Sequence, residues 1–124
     1  METDYFHYIV PRRGGTWISC KEDCESIPGH RLGMFQSLEQ FNTLLEIDQE
    51  IGINMRIDLE CTDGVLLWGD GTNFSSTPAA SVANLASNLN YFQGSVKIYN
   101  GYLRKTDPGT NIRCICQGNP LNRN

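Results

Sequence analysis

The chain contains no apolar run near the roughly 18 residues that a membrane-spanning helix needs. Its start, Met1-Glu2-Thr3-Asp4, is acidic and polar and carries no export signal. Cationic side chains are few. Ten Lys and Arg stand against fourteen Asp and Glu, a net charge of -4, which disfavours neutralisation of a phosphate backbone and so argues against nucleic-acid binding. Imidazoles are scarcer still, at His7 and His30, and each is read as structural rather than catalytic. There is no Gly-x-Ser-x-Gly elbow, no His-Glu-x-x-His pair and no glycine loop for phosphate; Gly14-Gly15 is only a pair. No nucleophile and base stand at recognisable spacing, so the chain is expected not to be an enzyme. Internal repeats and interior linkers are also missing. What remains is 124 residues, 40% hydrophobic and 19% charged, enough for one globular domain over 1–124 with a polar tail over 117–124.

Five cysteines stand out, at 20, 24, 61, 114 and 116. Cys20 and Cys24 have the same-face spacing of a helix, Cys114 and Cys116 that of a strand. The simplest arrangement docks the helix on the strand with two near-parallel disulfides, Cys24 to Cys116 and Cys20 to Cys114. The first would close a loop of 116 − 24 = 92 residues, worth about 4–5 kcal/mol in the loop-entropy account. Five reduced thiols and a four-cysteine zinc site are the alternatives, though C-x3-C with C-x-C is not the usual zinc-knuckle spacing. A Cys20–Cys61 link would instead pack the first helix on the central hairpin. Bridged cysteines imply an oxidising compartment, hence a secreted or cell-surface protein. Cys61 is left over, to be buried, to displace a partner in this pairing, or to link two chains as a covalent dimer.

Along the chain, Tyr5 to Val10 reads as a strand. Thr16 caps a helix with Trp17, Cys20, Cys24 and Ile27 on one stripe, ended by Pro28-Gly29. Arg31 to Phe35 is a short strand or extended link. Ser37-Leu38-Glu39-Gln40 is a capping box opening a second helix with an apolar stripe of Phe41, Leu44, Leu45 and Ile51, closed by Gly52. Ile53, Met55, Ile57 and Leu59 then alternate with Asn54, Arg56, Asp58 and Glu60, the period of a half-buried strand. Thr62-Asp63-Gly64 turns into Val65 to Trp68, a hairpin. Gly69 to Ala80 reads as loop and Asn84 to Asn90 is ambiguous. Ser95 to Tyr99, Tyr102-Leu103 and Ile112 to Cys116 are short strands.

Several segments in this order match short motifs of one family. The Thr16 to Leu32 stretch with its cysteine and Pro28-Gly29-His30-Arg31-Leu32 turn looks like its first helix, and Ser37-Leu38-Glu39-Gln40 like the start of its second. Arg56-Ile57-Asp58-Leu59 stands where the family has Trp-Ile-Gly-Leu. Trp68-Gly69-Asp70-Gly71-Thr72 is similar to its Trp-Ser-Asp-Gly-Thr, and Ile115-Cys116-Gln117 to its closing Ile-Cys-Glu. The chain thus resembles the C-type lectin-like domain over nearly its whole length. The resemblance implies an α+β fold, two helices against a twisted antiparallel sheet with a long loop region over roughly 68–110, and a recognition function outside the cell. It also marks departures. Where the calcium-dependent sugar binders carry Glu-Pro-Asn or Gln-Pro-Asp, this loop has Thr77-Pro78-Ala79. Where they have Trp-Asn-Asp, it has Tyr102-Leu103-Arg104-Lys105, two cations at the place of calcium ligands. The family's inner cysteine pair is missing; Cys20 and Cys114 are extra.

These departures lead to the expectation of a calcium-independent recognition or adhesion module, without cofactor or metal, that binds a protein or glycan through its long-loop face. The candidate ligand-binding residues are Asn73, Phe74, Tyr91, Phe92, Tyr99, Tyr102, Arg104 and Lys105, since Tyr and Arg give large contact area with polar tips. The alternative is a carbohydrate-binding lectin, either with calcium on Asp63, Asp70 and Asn73 or by aromatic stacking. Asp63, Asp70 and Asp107 each precede Gly or Pro-Gly, which makes turn chemistry their first reading. Trp68 is assigned to the core and Trp17 no role. Asn73-Phe74-Ser75 fits a glycosylation sequon, a mark of surface position in a eukaryotic chain.

Overall fold

Thr16 opens the first helix as its composition demands. Its Oγ1 accepts the Ser19 amide at 3.3 Å, while the Trp17 amide reaches across to the Pro108 carbonyl at 2.9 Å. The computed structural model describes residues 7–86, 89 and 94–119. In chain order its elements are β1 (His7–Ile9), α1 (Trp17–Glu25), β2 (His30–Leu32), α2 (Leu38–Ile51), β3 (Met55–Thr62), β4 (Val65–Trp68), β5 (Asn84–Leu85), β6 (Gly94–Tyr99), β7 (Tyr102–Thr106), β8 (Arg113–Cys114) and β9 (Cys116–Gly118), an α+β arrangement. Of the first expected strand, Tyr5 and Phe6 lie outside the described residues, as do three of the ambiguous 84–90 segment.

The capping box forms as read: Ser37 Oγ accepts the Gln40 amide at 3.0 Å and Gln40 Oε1 accepts the Ser37 amide at 3.4 Å. Gly52 closes α2 with φ +69°, a left-handed conformation that costs glycine little. Two expectations for the helices change. Ile27 lies past the end of α1, and Ile51 is 40% exposed, because the buried stripe of α2 runs through Phe41, Leu44 and Asp48.

The strands form two sheets. In the smaller, β9 lies between β1 and β2, antiparallel to both, so Gly118 faces His7 on one side and His30 on the other. A Cβ at Gly118 would run into the His30 ring. Gln117 and Gly118 are therefore no part of a polar tail. Gln117 is fully buried, and its Oε1 accepts the Met34 amide at 2.7 Å and Arg31 Nε at 3.1 Å. The larger sheet runs β4-β3-β6-β7-β5, with β8 parallel to the start of β3. The β3–β4 hairpin turns on Asp63 and Gly64, at φ 52° and 78°, the two left-handed residues of a type I′ turn.

β3 is not half-buried. Met55 through Leu59 are all buried, so the alternation of apolar and polar residues does not mark a wet face. The polar positions are covered and largely paired, Arg56 Nε being left without a partner among the described residues. Arg56 donates to Ser95 Oγ at 2.7 Å and to the Thr110 carbonyl, and Asp58 pairs with Lys21 of α1 at 3.4 Å. Burial lowers the Arg56 guanidinium, with the Asp107 charge opposing. Burial raises the Asp58 carboxyl despite Lys21 and Arg31.

Two disulfides hold α1 to the end of the chain, Cys20–Cys114 and Cys24–Cys116, with Cα separations of 5.7 and 5.3 Å. Both bridges of the expected pairing are present, and neither the reduced, the zinc nor the Cys20–Cys61 alternative holds. Cys61 is free and only 2% exposed, packed in the main core with Trp68 and Ile57. The 2% exposure of Cys61 disfavours a covalent dimer through it.

Candidate functional site

The Tyr99-Asn100-Gly101-Tyr102 segment builds the most exposed aromatic surface of the sheet. Asn100 and Gly101 sit at φ 53° and 84°, a second type I′ turn, and this fixes the β6–β7 register. Tyr99 opposes Tyr102, Ile98 opposes Leu103, Lys97 opposes Arg104 and Val96 opposes Lys105. Opposed residues share a face. Ile98 and Leu103 turn to the core and are fully buried; Tyr99 and Tyr102 turn outward, 38% and 45% exposed. Between them lies Arg104, its guanidinium carbon 5.8 Å from the Tyr99 ring centre and 5.4 Å from that of Tyr102, its Nε donating to the Tyr99 carbonyl at 3.1 Å.

The same register adds a residue that composition alone did not single out. Lys97 lies across from Arg104 on β7 and from Arg56 on β3. Arg56, Lys97 and Arg104 thus form a row of three cations across three strands, of which Arg56 is fully buried and Lys97 and Arg104 are half-buried. Burial, then the charges of Arg104 and Arg56, lowers the Lys97 ammonium below its ordinary value. An anion placed over Lys97 and Arg104 relieves that repulsion, and the two tyrosines beside them offer flat apolar area with hydroxyl tips. The Asn100-Gly101 dipeptide is the sequence signal that would have found Lys97, since a two-residue hairpin dictates which residues oppose each other.

The other candidates scatter. Lys105 points to the opposite face from Arg104, because adjacent strand residues alternate. Phe74 is 4% exposed and packs against Trp68, ring centres 5.7 Å apart, so it is core and not a ligand contact. Asn73 is exposed, and its Oδ1 accepts the Ser75 amide at 2.9 Å to cap a short 3-10 turn over Phe74–Ser76. Tyr91 and Phe92 lie outside the described residues. Trp68 is buried as assigned, its Nε1 donating to Thr77 Oγ1 at 3.3 Å.

The loop acids do local work. Asp63 is the first turn residue of the β3–β4 hairpin, and Asp107 Oδ1 accepts the Gly109 amide at 2.8 Å. Asp70 accepts the Thr72 amide at 2.9 Å and Gln36 Nε2 on both oxygens. Burial pushes its carboxyl up, but these hydrogen bonds and the Arg31 charge outweigh burial and hold it below its ordinary value. Among the described residues no three of His, Cys, Asp and Glu come together in a way that could hold a metal ion. His7 Nδ1 and His30 Nε2 share a hydrogen bond of 2.8 Å, and His30 Nδ1 lies 2.9 Å from the Pro28 carbonyl.

Comparison with solved structures bears on the fold directly. TC14, a C-type lectin from the tunicate Polyandrocarpa misakiensis, superposes with a TM-score of 0.74 at 20% identity over 94% of this chain and 98% of that one. The fold is that of the C-type lectin-like domain. Two further lectin-like structures agree: human lithostathine, TM-score 0.73 at 13% identity over 96% and 88% of the two chains, and the natural killer cell receptor Ly49C, 0.69 at 17% over 94% and 88%. No family model matches the sequence, and neither does any curated protein. Within this lectin-like fold, the Cys24–Cys116 bridge is the one the resemblance implies, and Cys20–Cys114 stands beside it as the extra pair. No described helix is long and apolar enough to cross a membrane.

Proposed function

We propose that this chain is a non-enzymatic, calcium-independent recognition module working outside the cell, and that it takes an anionic protein or glycan ligand on the outward face of β6 and β7. One observation carries the reading: the Lys97–Arg104 cation pair lies beside two exposed tyrosines on a register-locked hairpin, with the Arg56 charge buried behind it. The two disulfides support an oxidising, extracellular setting. Calcium independence is supported by the replacement of the family's acidic segment by cations and by the local engagement of Asp70 and Asp107. The exposed tyrosine rings also favour stacking on a sugar, so a glycan carrying sulfate or carboxylate groups suits both halves of the surface.

The test is an array of sulfated, sialylated and neutral oligosaccharides, with an acidic-protein panel beside it, probed with and without chelator. The expected result is binding confined to anionic probes, unchanged by chelator and lost in Arg104→Glu with an unaltered melting temperature. Silence on both panels, or binding that chelator removes, contradicts the proposal.

A further inference from the structure

Asp48 stands where the apolar stripe of α2 would take a leucine. It is seven residues on from Phe41 and four from Leu44, so it shares their face, and it is 2% exposed. Its Oδ2 accepts the Gly101 amide at 2.7 Å, which ties α2 to the tip of the β6–β7 hairpin. Its other oxygen, Oδ1, is buried and has no hydrogen-bond partner among the described residues. A carboxylate oxygen taken from water without a donor is costly to keep, and native structures rarely leave one so.

The residue also lines a cleft of about 460 Å³ between the end of α2 and the hairpin tip, together with Leu45, Gln49, Asn84, Tyr99 and Asn100. That volume lies within the span of about 300–1,000 Å³ common to small-ligand sites. Gly52 and Gly101 keep part of the wall low, since nothing lies within 4 Å of where their Cβ atoms would be.

The charge around the cleft has one sign. Among the described residues that line it, none is cationic. The last turn of α2 holds no basic residue, so the negative pole of the helix is uncompensated there. Glu46 and Glu50 are exposed on the same helix. Arg104, the cation nearest in the register, has its Nε donating to the Tyr99 carbonyl. Lys21 forms its salt bridge with Asp58, not with Asp48.

We propose that this cleft is a second binding site, for an alkylammonium group that donates to Asp48 Oδ1 and lays its methylenes along Leu45 and Tyr99. The unpaired oxygen supplies the acceptor, the helix end the field, and the cleft the room. The ammonium comes either from a free amine or from a lysine side chain on a partner protein. The site takes the opposite charge from the outward hairpin face and stands or falls without it.

The experiment is a titration of the whole chain followed by amide NMR, with n-butylamine and with Nα-acetyl-lysine N-methylamide. Both are expected to shift the Gly101 and Tyr99 amides saturably in roughly the millimolar range. n-Butanol and the Nε-acetylated lysine are expected to leave them in place. Tighter binding of the lysine derivative points to a partner's side chain, and tighter binding of butylamine to a free amine; either supports the site. Asp48→Asn keeps an acceptor for Gly101 and is expected to weaken the amine by roughly tenfold or more. Asp48→Leu continues the apolar stripe and is expected to fold and to show no saturable shift. Absence of a saturable shift at Gly101 in the native chain, an equal response to n-butanol, or unchanged binding by a folded Asp48→Asn chain overturns the proposal.

Discussion

The two cores of this domain are held by different means. The smaller, between α1 and the closing strands, buries among the described residues only Leu32 and four bridged cysteines, with Ile9, Trp17 and Ile27 partly covered. The larger, between α2 and the main sheet, buries Phe35, Phe41, Trp68, Phe74 and a dozen further apolar residues among those described, and the cysteine within it stays unpaired. Where apolar area is scarce, sulfur bonds join the two ends of the chain. Where it is plentiful, Cys61 serves as a small hydrophobic side chain. The difference also separates the bridges, which lie beside α1, from the proposed recognition face, the exposed hairpin resting on the larger core.

This contrast can be broken most forcefully at the sulfurs. Replacing Cys24 and Cys116 by alanine opens a loop whose ends lie 92 residues apart, at an expected cost of about 4–5 kcal/mol. That is a large share of the about 5–15 kcal/mol that holds a domain together. Thermal melting of the native, reduced and double-alanine chains checks it; equal midpoints would mean the smaller core stands without its bridges. In the larger core, Trp68→Ala should cost about 3–5 kcal/mol by leaving a cavity beside Phe74, a comparable loss by packing alone. Cys61→Ala should cost about 1 kcal/mol. The native chain should run as a monomer on a non-reducing gel, and a thiol-blocking reagent should react with Cys61 only after denaturant is added.

The smallest expected effect lies at the seam between the two cores, where Asp58 of β3 meets Lys21 of α1. Burial raises the Asp58 carboxyl above its ordinary 3.8, against the pull of Lys21 and Arg31 and with a push from Glu60. Between 3.8 and the raised value the folded chain keeps a proton that the unfolded chain has lost. Stability should therefore fall as pH rises through that window. Urea unfolding from pH 3.5 to 6 should show this slope in the native chain, and Asp58→Asn should flatten it.

Much of the fold was legible because its signals are local. Thr16, Ser37 and Gly52 sit at helix ends where only a few residue types satisfy the free backbone groups, and Asp63-Gly64 can hardly be anything but a hairpin turn. The cysteine pairing was legible from spacing because helix and strand periods leave few ways to align two pairs. What escaped depends on residues distant in sequence. The alternation of β3 looks like a wet face until Lys21 and Thr110 are seen to cover it. Gln117 looks like a tail residue until β1 and β2 close on either side. In the site, neighbours in sequence were read as neighbours in space, which joined Lys105 to Arg104 and passed over Lys97. Phe74 and Asp48 were missed for opposite reasons: an aromatic in a polar loop reads as exposed, and a carboxylate in a helix reads as solvated.

The central claim is that the domain is completed by sulfur and packing, and that its recognition face needs no metal. Differential scanning calorimetry of the native chain in about 10 mM calcium chloride and in excess chelator tests it most directly, because a bound ion at a hundredfold its dissociation constant adds about 2.7 kcal/mol. The account predicts melting midpoints that agree within about one degree; a rise of several degrees with calcium would contradict it.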